Sequence, residues 1–134
     1  MNLPLNDISL LIVDDDPPVA SSLRRLFRRA GFSIHVADCG TQALELLESV
    51  APQVVISDYR MPDISGVDVL LAVRERNEET VCVLISGYAD SGTLQTSIKK
   101  LQKGHRFFFI PKPWDDDVFV QKVLDALHGR GATQ

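Results

Sequence analysis

The sequence predicts an α/β fold in which five parallel strands form one open sheet with helices on both faces. Three observations predict it. Five runs of apolar, β-branched or aromatic residues occur along the chain, and helical patterns separate them. The first, third and fourth runs lack polar alternation, as strands buried on both faces do. A helix between successive strands is also the crossover that parallel pairing requires.

Each element follows from its own pattern. The predicted strands span residues 10–13, 33–37, 54–57, 81–86 and 106–110. Between them, apolar residues recur at helical spacing, so each helix should bury one stripe. These residues are Val19, Leu23, Leu26 and Ala30 in the first helix; Ala43, Leu47 and Val50 in the second; Val67, Leu70 and Leu71 in the third; Leu94, Ile98 and Leu101 in the fourth; and Val120, Val123, Leu124 and Leu127 in the fifth.

The chain has the length and composition of one globular domain. With 134 residues, 45% hydrophobic and 24% charged, it can bury a core without disulfides and gives no sign of disorder or of a membrane span. We expect a single domain over residues 1–134, with its core at about 8–128 and short tails at both ends. The opening segment MNLPLND lacks a secretory pattern, so the cytoplasm is the expected compartment.

Cysteine usage and charge exclude several classes of function. Cys39 and Cys82 have no ligand-type neighbours at metal spacing, so we expect small apolar fillers rather than a disulfide or zinc site. The net charge of -4, from 18 acidic and 14 basic residues, is small and scattered. Direct binding of nucleic acid is therefore not expected.

Polar residues collect where the predicted strands end. They are Asp14, Asp15 and Asp16 after the first strand, Asp58 after the third, Ser86 at the end of the fourth and Lys112 after the fifth. Ligands bind beyond the carboxyl ends of such strands. Clustered carboxylates repel, because two unit charges about 4 Å apart cost roughly 4 kcal/mol at an effective dielectric near 20. A divalent cation would remove this repulsion, and a few oxygen donors suit Mg²⁺ better than Zn²⁺.

The same residues suit phosphoryl transfer, in which positioned cations and donors offset charge on the transferring oxygens. The Asp58 carboxylate can attack phosphorus to form an acyl phosphate. Ser86 can donate its hydroxyl to one phosphoryl oxygen, and Lys112 can offer a positive charge to another. Gly87 leaves space beside them.

Four segments, LLIVDDDPPV, VVISDYRMPDISG, VLISGYAD and FFFIPKPW, carry a resemblance to a known family. In order and spacing they resemble the motifs of response-regulator receiver domains, the chemotaxis-regulator-like proteins of two-component signal transduction. The likeness covers almost the whole chain. It implies a (βα)₅ doubly wound, flavodoxin-like sheet with strand order 2-1-3-4-5.

The resemblance implies a metal site residue by residue. Asp14 and Asp15 would form the acidic pair that holds Mg²⁺, for which Mn²⁺ could substitute. Asp58 would accept the phosphoryl group and contact the metal, and the backbone carbonyl of Arg60 would complete the protein ligands.

It also implies a switch. Ser86 would be the switch hydroxyl, and Lys112 the phosphate contact, followed by a cis Lys112–Pro113 bond. The aromatic switch position falls on Phe109, where many relatives have tyrosine, so rotation would be read through packing alone. If phosphorylated Asp58 draws Ser86 inward, Phe109 can occupy the vacated space and rearrange the fourth helix, fifth strand and fifth helix. Arg60 and Tyr88 are expected to set the lifetime of the phosphorylated state.

The expected partners follow from this resemblance. A sensor histidine kinase or phosphotransfer protein would donate the phosphoryl group, and an output domain or downstream protein would read the fourth-helix, fifth-strand and fifth-helix face. A homodimer through that face stays open. The ending PKPWDDD resembles receivers joined to cyclic-dinucleotide phosphodiesterase-type or other signalling outputs more than those joined to winged-helix DNA binders. We expect a signalling domain without membrane contact, not an enzyme acting on another substrate.

Plainer interpretations exist for some of these residues. Asp16, followed by proline, reads as a helix N-cap, and residues 115–117 as the acidic first turn of the last helix. Of Phe107, Phe108 and Phe109, two are expected in the core because side chains alternate along a strand. Gly66 is expected to end a tight turn.

Three other functions fit these residues less well. A haloacid-dehalogenase-type phosphatase would need Asp14 as nucleophile, but Pro17 and Pro18 follow it and no cap insertion or later acidic motif appears. A phosphorylation-independent adaptor would not need the complete set of acids, hydroxyl and lysine. A flavodoxin-like electron carrier would need a hydroxyl-rich phosphate loop where DDDPP stands, so flavin is not expected.

Overall fold

A computed structural model of the chain describes residues 8–87, 92–102 and 106–129, in which five strands alternate with five helices. The strands are β1 (Ser9–Val13), β2 (Ser33–Ala37), β3 (Val54–Asp58), β4 (Val81–Ser86) and β5 (Phe107–Pro111). The helices are α1 (Pro17–Arg29), α2 (Gly40–Leu46), α3 (Gly66–Arg76), α4 (Gly92–Gln102) and α5 (Asp116–Leu127). Within these ranges, no helix combines the length and the apolar character needed to cross a bilayer.

The five strands form one parallel sheet in the order β2-β1-β3-β4-β5, which confirms the predicted topology. The central strands β1, β3 and β4 are almost entirely buried, as their uninterrupted apolar runs predict. The register aligns Val13 with Ser57, Asp58 with Ile85, and Ser86 with Pro111. All the strands therefore end at one edge of the sheet, where the predicted site residues lie.

Two hydrophobic layers cover the sheet. Helices α1 and α5 pack on one face, where Phe27 contacts Phe119 edge to face with ring centroids 5.2 Å apart. Helices α2, α3 and α4 pack on the other face. Consecutive strand residues serve opposite layers: Leu10 and Ile12 belong to the first, Leu11 and Val13 to the second.

The buried helical stripes agree with the prediction in α4 and are rotated in α1 and α5. All three residues predicted for α4 are buried. In α1 the buried residues are Ala20, Leu23 and Phe27, and in α5 they are Phe119, Val123 and Ala126. The other residues predicted for these two helices are half-buried at the stripe's margin. The aromatic rings define the core direction, because they fill the space between α1 and α5.

Helix α2 is shorter than its apolar spacing predicts. It ends at Leu46; Leu47 lies in the turn that follows, and Val50 lies just after that turn. The amides of Glu48 and Ser49 bond to carbonyls three residues earlier, which tightens the chain ahead of Pro52. Leu47 is nevertheless buried, so its apolar side chain reaches the core from outside the helix.

Candidate functional site

Three carboxylates meet at the carboxyl edge of the sheet. Asp14 and Asp15 follow β1 directly, and Asp58 is the last residue of β3, so parallel pairing brings the two strand ends together. One oxygen from each of the three carboxylates lies within 4.8 Å of the others. Asp14 and Asp58 are buried, and Asp15 is exposed. The structure therefore brings together the acids that the sequence predicts as a cluster.

Asp14 is held in an environment that opposes its charge. Its Oδ1 accepts the Asp16 amide at 2.9 Å, whereas its buried Oδ2 has no hydrogen-bond partner among the described residues. The pKa of Asp14 is raised to about 6, mainly by burial; the charges of Asp58 and Asp15 also raise it, and the Asp16 amide and the charge of Lys112 oppose the rise.

Lys112 already contacts the predicted phosphoacceptor. Its Nζ lies 3.0 Å from Oδ1 of Asp58. Burial raises the pKa of Asp58, and the hydrogen bond and charge of Lys112 oppose this rise without cancelling it. For Lys112, burial lowers the pKa, but the bond and charge of Asp58, with the charges of Asp14 and Asp16, outweigh burial and raise it.

The donor set fits a hard divalent cation. Among the described residues, the ammonium group of Lys112 faces three clustered carboxylates. A buried carboxylate oxygen without a hydrogen-bond donor, such as Oδ2 of Asp14, is costly unless a cation pairs with it. Carboxylate oxygens at a partly exposed edge leave room for waters, as Mg²⁺ prefers. Asp14, Asp15 and Asp58 are thus the side chains that could hold Mg²⁺. The orientation of the Arg60 carbonyl toward them stays a prediction.

The two predicted switch residues lie on neighbouring strands. Ser86 is buried at the end of β4, and its carbonyl accepts the amide of Lys112 at 3.0 Å. Phe109 is half-buried on β5 beside Leu84 and packs against the layer that contains α4. The Lys112–Pro113 bond is cis, as the family resemblance implies. Tyr88 lies outside the described residues, and the roles predicted for it and for Arg60 stay predictions.

The three phenylalanines of β5 alternate across the sheet as expected, but none is fully buried. Phe107 and Phe109 pack against the α2–α3–α4 layer, and Phe108 against the α1–α5 layer. All three are half-buried, because β5 is an edge strand.

Two acids near the site, Asp16 and Asp115, precede helices but differ in whether their side chains cap them. Asp16 occupies the N-cap position of α1, but its side chain makes no capping hydrogen bond in the described part of the chain. Asp115 is a true N-cap, since its side chain accepts the Val118 amide at 3.0 Å, and Asp116 and Asp117 form the predicted acidic first turn. Cys39 is also more than an apolar filler, because its Sγ caps α2 through the Gln42 amide.

Two residues near the site have roles that the sequence analysis missed. Gly66 begins α3 instead of ending a turn, and a Cβ atom there would lie 2.0 Å from the Asp58 carbonyl oxygen. Asp63 accepts amide hydrogens from the start of α2. Both belong to the motif VVISDYRMPDISG, but their partners depend on how α2 and α3 pack, which spacing does not reveal.

Comparisons with known proteins agree with this geometry. The family model described as the response regulator receiver domain matches residues 10–124. The regulatory protein AtoC of Escherichia coli strain K12 is 35% identical over 118 residues, which are 86% of this chain and 25% of that protein. The DNA-binding transcriptional regulator NtrC of the same strain is 31% identical over 116 residues, 87% of this chain and 24% of that protein. The chain therefore spans about a quarter of the length of these relatives.

A solved structure extends the agreement to three dimensions. The signal receiver domain of an HD domain-containing protein from Pseudomonas fluorescens Pf-5 aligns with a TM-score of 0.78 and 27% identity, covering 91% of this chain and 88% of that one. The strand order, the acid cluster at the sheet edge and these matches lead to one assignment. The chain belongs to the response regulator receiver domain family of two-component signalling.

Proposed function

We propose that the chain accepts a phosphoryl group on Asp58, in a Mg²⁺-dependent reaction, from a sensor histidine kinase or a phosphotransfer protein. The observation that carries this proposal is the pairing of Asp58 with Lys112 at 3.0 Å inside a cluster of three carboxylates. Asp58 supplies the nucleophile, and the cluster and the lysine supply the electrostatic surroundings that the transfer needs.

Each residue has a distinct part in the reaction. An oxygen of Asp58 attacks phosphorus, the bond from phosphorus to the donor histidine nitrogen breaks, and that imidazole keeps the bonding electrons and takes a proton. Lys112 then moves from the carboxylate to a phosphoryl oxygen, and the Ser86 hydroxyl donates to another. Bound Mg²⁺, held by Asp14, Asp15, Asp58 and the Arg60 carbonyl, would offset negative charge on the transferring oxygens. Mn²⁺ would serve in its place.

The signal is proposed to leave through α4, β5 and α5. Ser86 and Phe109 lie on adjacent paired strands, so movement of the hydroxyl toward the phosphoryl group can change the packing of the ring beside α4. A homodimer through this surface is an open alternative to a contact with an output domain. The chain itself turns over no separate substrate and acts in the cytoplasm without direct nucleic-acid contact.

Relatives point to two kinds of output. NtrC is a DNA-binding transcriptional regulator, and the receiver from Pseudomonas fluorescens Pf-5 comes from an HD domain-containing protein. The PKPWDDD ending favours a phosphodiesterase-type or other signalling output over a winged-helix DNA binder.

Phosphotransfer from candidate histidine kinases tests the proposal. Wild type should gain label in the presence of Mg²⁺ and should gain none when EDTA is present from the start. Asp58→Ala should gain none under either condition. The label should survive acid and be released by base or hydroxylamine, as an acyl phosphate is. Equal labelling of Asp58→Ala would refute the assignment, and turnover of phosphate esters would favour the haloacid-dehalogenase-type phosphatase. If the chain were instead a phosphorylation-independent adaptor, the Asp58→Ala variant would bind the partner as well as wild type does.

A further inference from the structure

The carboxylate of Asp63 joins the loop after β3 to the start of α2. Its Oδ1 accepts the Gly40 amide at 3.0 Å and the Ile64 amide at 2.8 Å, and its Oδ2 accepts the Thr41 amide at 2.7 Å. Hydrogen bonds from the Thr41 hydroxyl and from these amides hold the pKa of Asp63 well below its ordinary value. Asp63 is therefore a charged acceptor at neutral pH, although it is exposed.

The rest of the contact is apolar and tight. A Cβ atom at Gly40 would lie 2.2 Å from Cγ1 of Ile64, so the helix start packs directly against the residue that follows Asp63. The next amides of α2 are satisfied locally, since Cys39 accepts the Gln42 amide through Sγ and the Ala43 amide through its carbonyl. Asp63 thus completes the N-terminal capping of α2 from a different segment of the chain.

The loop that Asp63 holds is the one that leaves the phosphoacceptor. At its other end, the Tyr59 amide bonds to the Ile85 carbonyl and the Tyr59 carbonyl accepts the Gly66 amide, both at 2.9 Å. Only Arg60, Met61 and Pro62 lie between these anchors. The segment leading into α2 is tied to the acid cluster as well, because the Asp14 amide bonds to the Ala37 carbonyl at 3.1 Å.

We infer that Asp63 is a positioning residue for the divalent cation, holding the Arg60 segment beside Asp58 before the metal arrives. The inference rests on the proposed function, in which the Arg60 carbonyl is a metal ligand. Without the Asp63 contact the three-residue segment would have to be ordered when the metal binds, and metal affinity would fall. By thermodynamic reciprocity, bound metal should strengthen the contact between Asp63 and α2.

Mg²⁺ affinity of the full chain, measured by isothermal titration calorimetry, tests this inference. Asp63→Ala should bind Mg²⁺ about tenfold more weakly than wild type, as removal of supporting hydrogen bonds around metal ligands typically does. Asp63→Asn keeps one acceptor oxygen and should lose less. The matched control is Asp38→Asn, which removes an exposed acid two residues before Gly40 and should change affinity less than about twofold.

Amide hydrogen exchange provides a measurement that a purely structural cap would not affect. The Gly40 and Thr41 amides should exchange more slowly when Mg²⁺ is added to wild type, and this response should be weaker in Asp63→Asn. If Asp63→Ala does not fold, Asp63→Asn decides the question. If Asp63→Asn folds and binds Mg²⁺ with wild-type affinity, and differs only in a lower melting temperature in EDTA, the inference is overturned. The proposed function would still stand in that case. Failure of wild type to bind Mg²⁺, or binding unaffected in Asp58→Ala, would overturn the proposed function as well.

Discussion

At the scale of single residues, Asp14 shows how a functional requirement opposes stability. Its side chain is 2% exposed, one of its oxygens has no partner among the described residues, and Asp58 and Asp15 lie close by. Burial is the main reason that its pKa rises from 3.8 to about 6. A carboxylate in this environment destabilises the fold unless a cation pairs with it.

The sign of the pH dependence follows from that shift. Because the pKa of Asp14 is higher in the folded than in the unfolded chain, its contribution to stability is fully present below about pH 4 and is lost as the pH rises through about 6. At pH 7 in EDTA, Asp14→Asn should therefore raise the free energy of unfolding by about 2 to 3 kcal/mol, and at pH 4 by little. Urea unfolding at the two pH values measures this difference.

Asp15→Asn is the control for this prediction. Asp15 belongs to the same cluster but is exposed, so its substitution should change stability less than that of Asp14 at pH 7. Mg²⁺ should stabilise wild type and stabilise Asp14→Asn much less. A loss of stability in Asp14→Asn at pH 7 in EDTA would contradict the account of the buried charge.

Gly66 is required by contact with the phosphoacceptor backbone. A Cβ atom would lie 2.0 Å from the Asp58 carbonyl oxygen and 2.9 Å from Oγ of Ser57, so backbone must move to admit alanine. We expect Gly66→Ala to lower the free energy of unfolding by about 3 kcal/mol. Chemical denaturation provides the measurement. The same substitution at Gly92, also the first residue of a helix but facing open space, should be neutral or slightly stabilising.

At the scale of elements, one arginine of α3 hydrogen-bonds to the end of α4 and adds to the apolar packing between the two helices. The half-buried guanidinium of Arg74, near the end of α3, donates to the backbone carbonyls of Lys100 and Leu101 at the end of α4. Carbonyls in the last turn of a helix lack partners within the helix, so Arg74 supplies them from a neighbour. These hydrogen bonds anchor the C-terminal end of α4. The N-terminal end of α4 comes soon after Ser86 of β4 along the chain.

Arg74→Ala should destabilise the chain by about 2 kcal/mol, because it removes charge-assisted hydrogen bonds at a partly buried position. It should also speed amide exchange in α4 more than in α5. Arg76→Ala is the matched control on the same helix, since the Arg76–Glu48 ion pair, at 2.7 Å, is exposed by 46% and 69%. That substitution should cost about 0 to 1 kcal/mol. Equal effects of the two substitutions would contradict the anchoring role.

At the scale of the whole molecule, signalling requires that chemistry at Asp58 alter a surface on another element. The Ser86 carbonyl accepts the Lys112 amide, and Phe109 of β5 packs against the layer that contains α4. The paired strands β4 and β5 therefore join the site to the proposed output surface. Phosphorylation adds charged oxygens at one end of this path, and packing carries the change to the other.

Beryllofluoride with Mg²⁺, as a phosphoryl mimic, should shift the amide resonances of α4, β5 and α5 more than those of α1. Phe109→Ala should reduce the shifts in α4 while leaving beryllofluoride bound at Asp58. The oligomeric state should be measured before and after addition, because dimerisation through the same face would add its own shifts. Unchanged α4 resonances in wild type would refute this switching scheme.

The strand ends and helix patterns were predictable because they depend on the local spacing of apolar residues along the sequence. Residues 33–37 and 81–86 are strands as predicted. The first and third strands are each one residue longer than predicted, and the fifth is shifted by one residue toward the C-terminus. The identities of the cluster residues were predictable for a similar reason. Parallel strands end at one edge, so residues that follow different strands become neighbours whatever the loop details.

The order of elements, the buried central strands and the set of acids, hydroxyl and lysine at the sheet edge were all predictable from the amino-acid sequence alone. Packing between segments sets which side of α1 and α5 faces the core, leaves Oδ2 of Asp14 buried without a donor in the described part of the chain, and brings Asp63 and Arg74 to backbone groups of α2 and α4. The difference lies in how far apart the interacting residues are along the sequence. Periodicity reports each segment's own burial pattern, whereas a hydrogen bond between segments more than 20 residues apart depends on how whole helices pack.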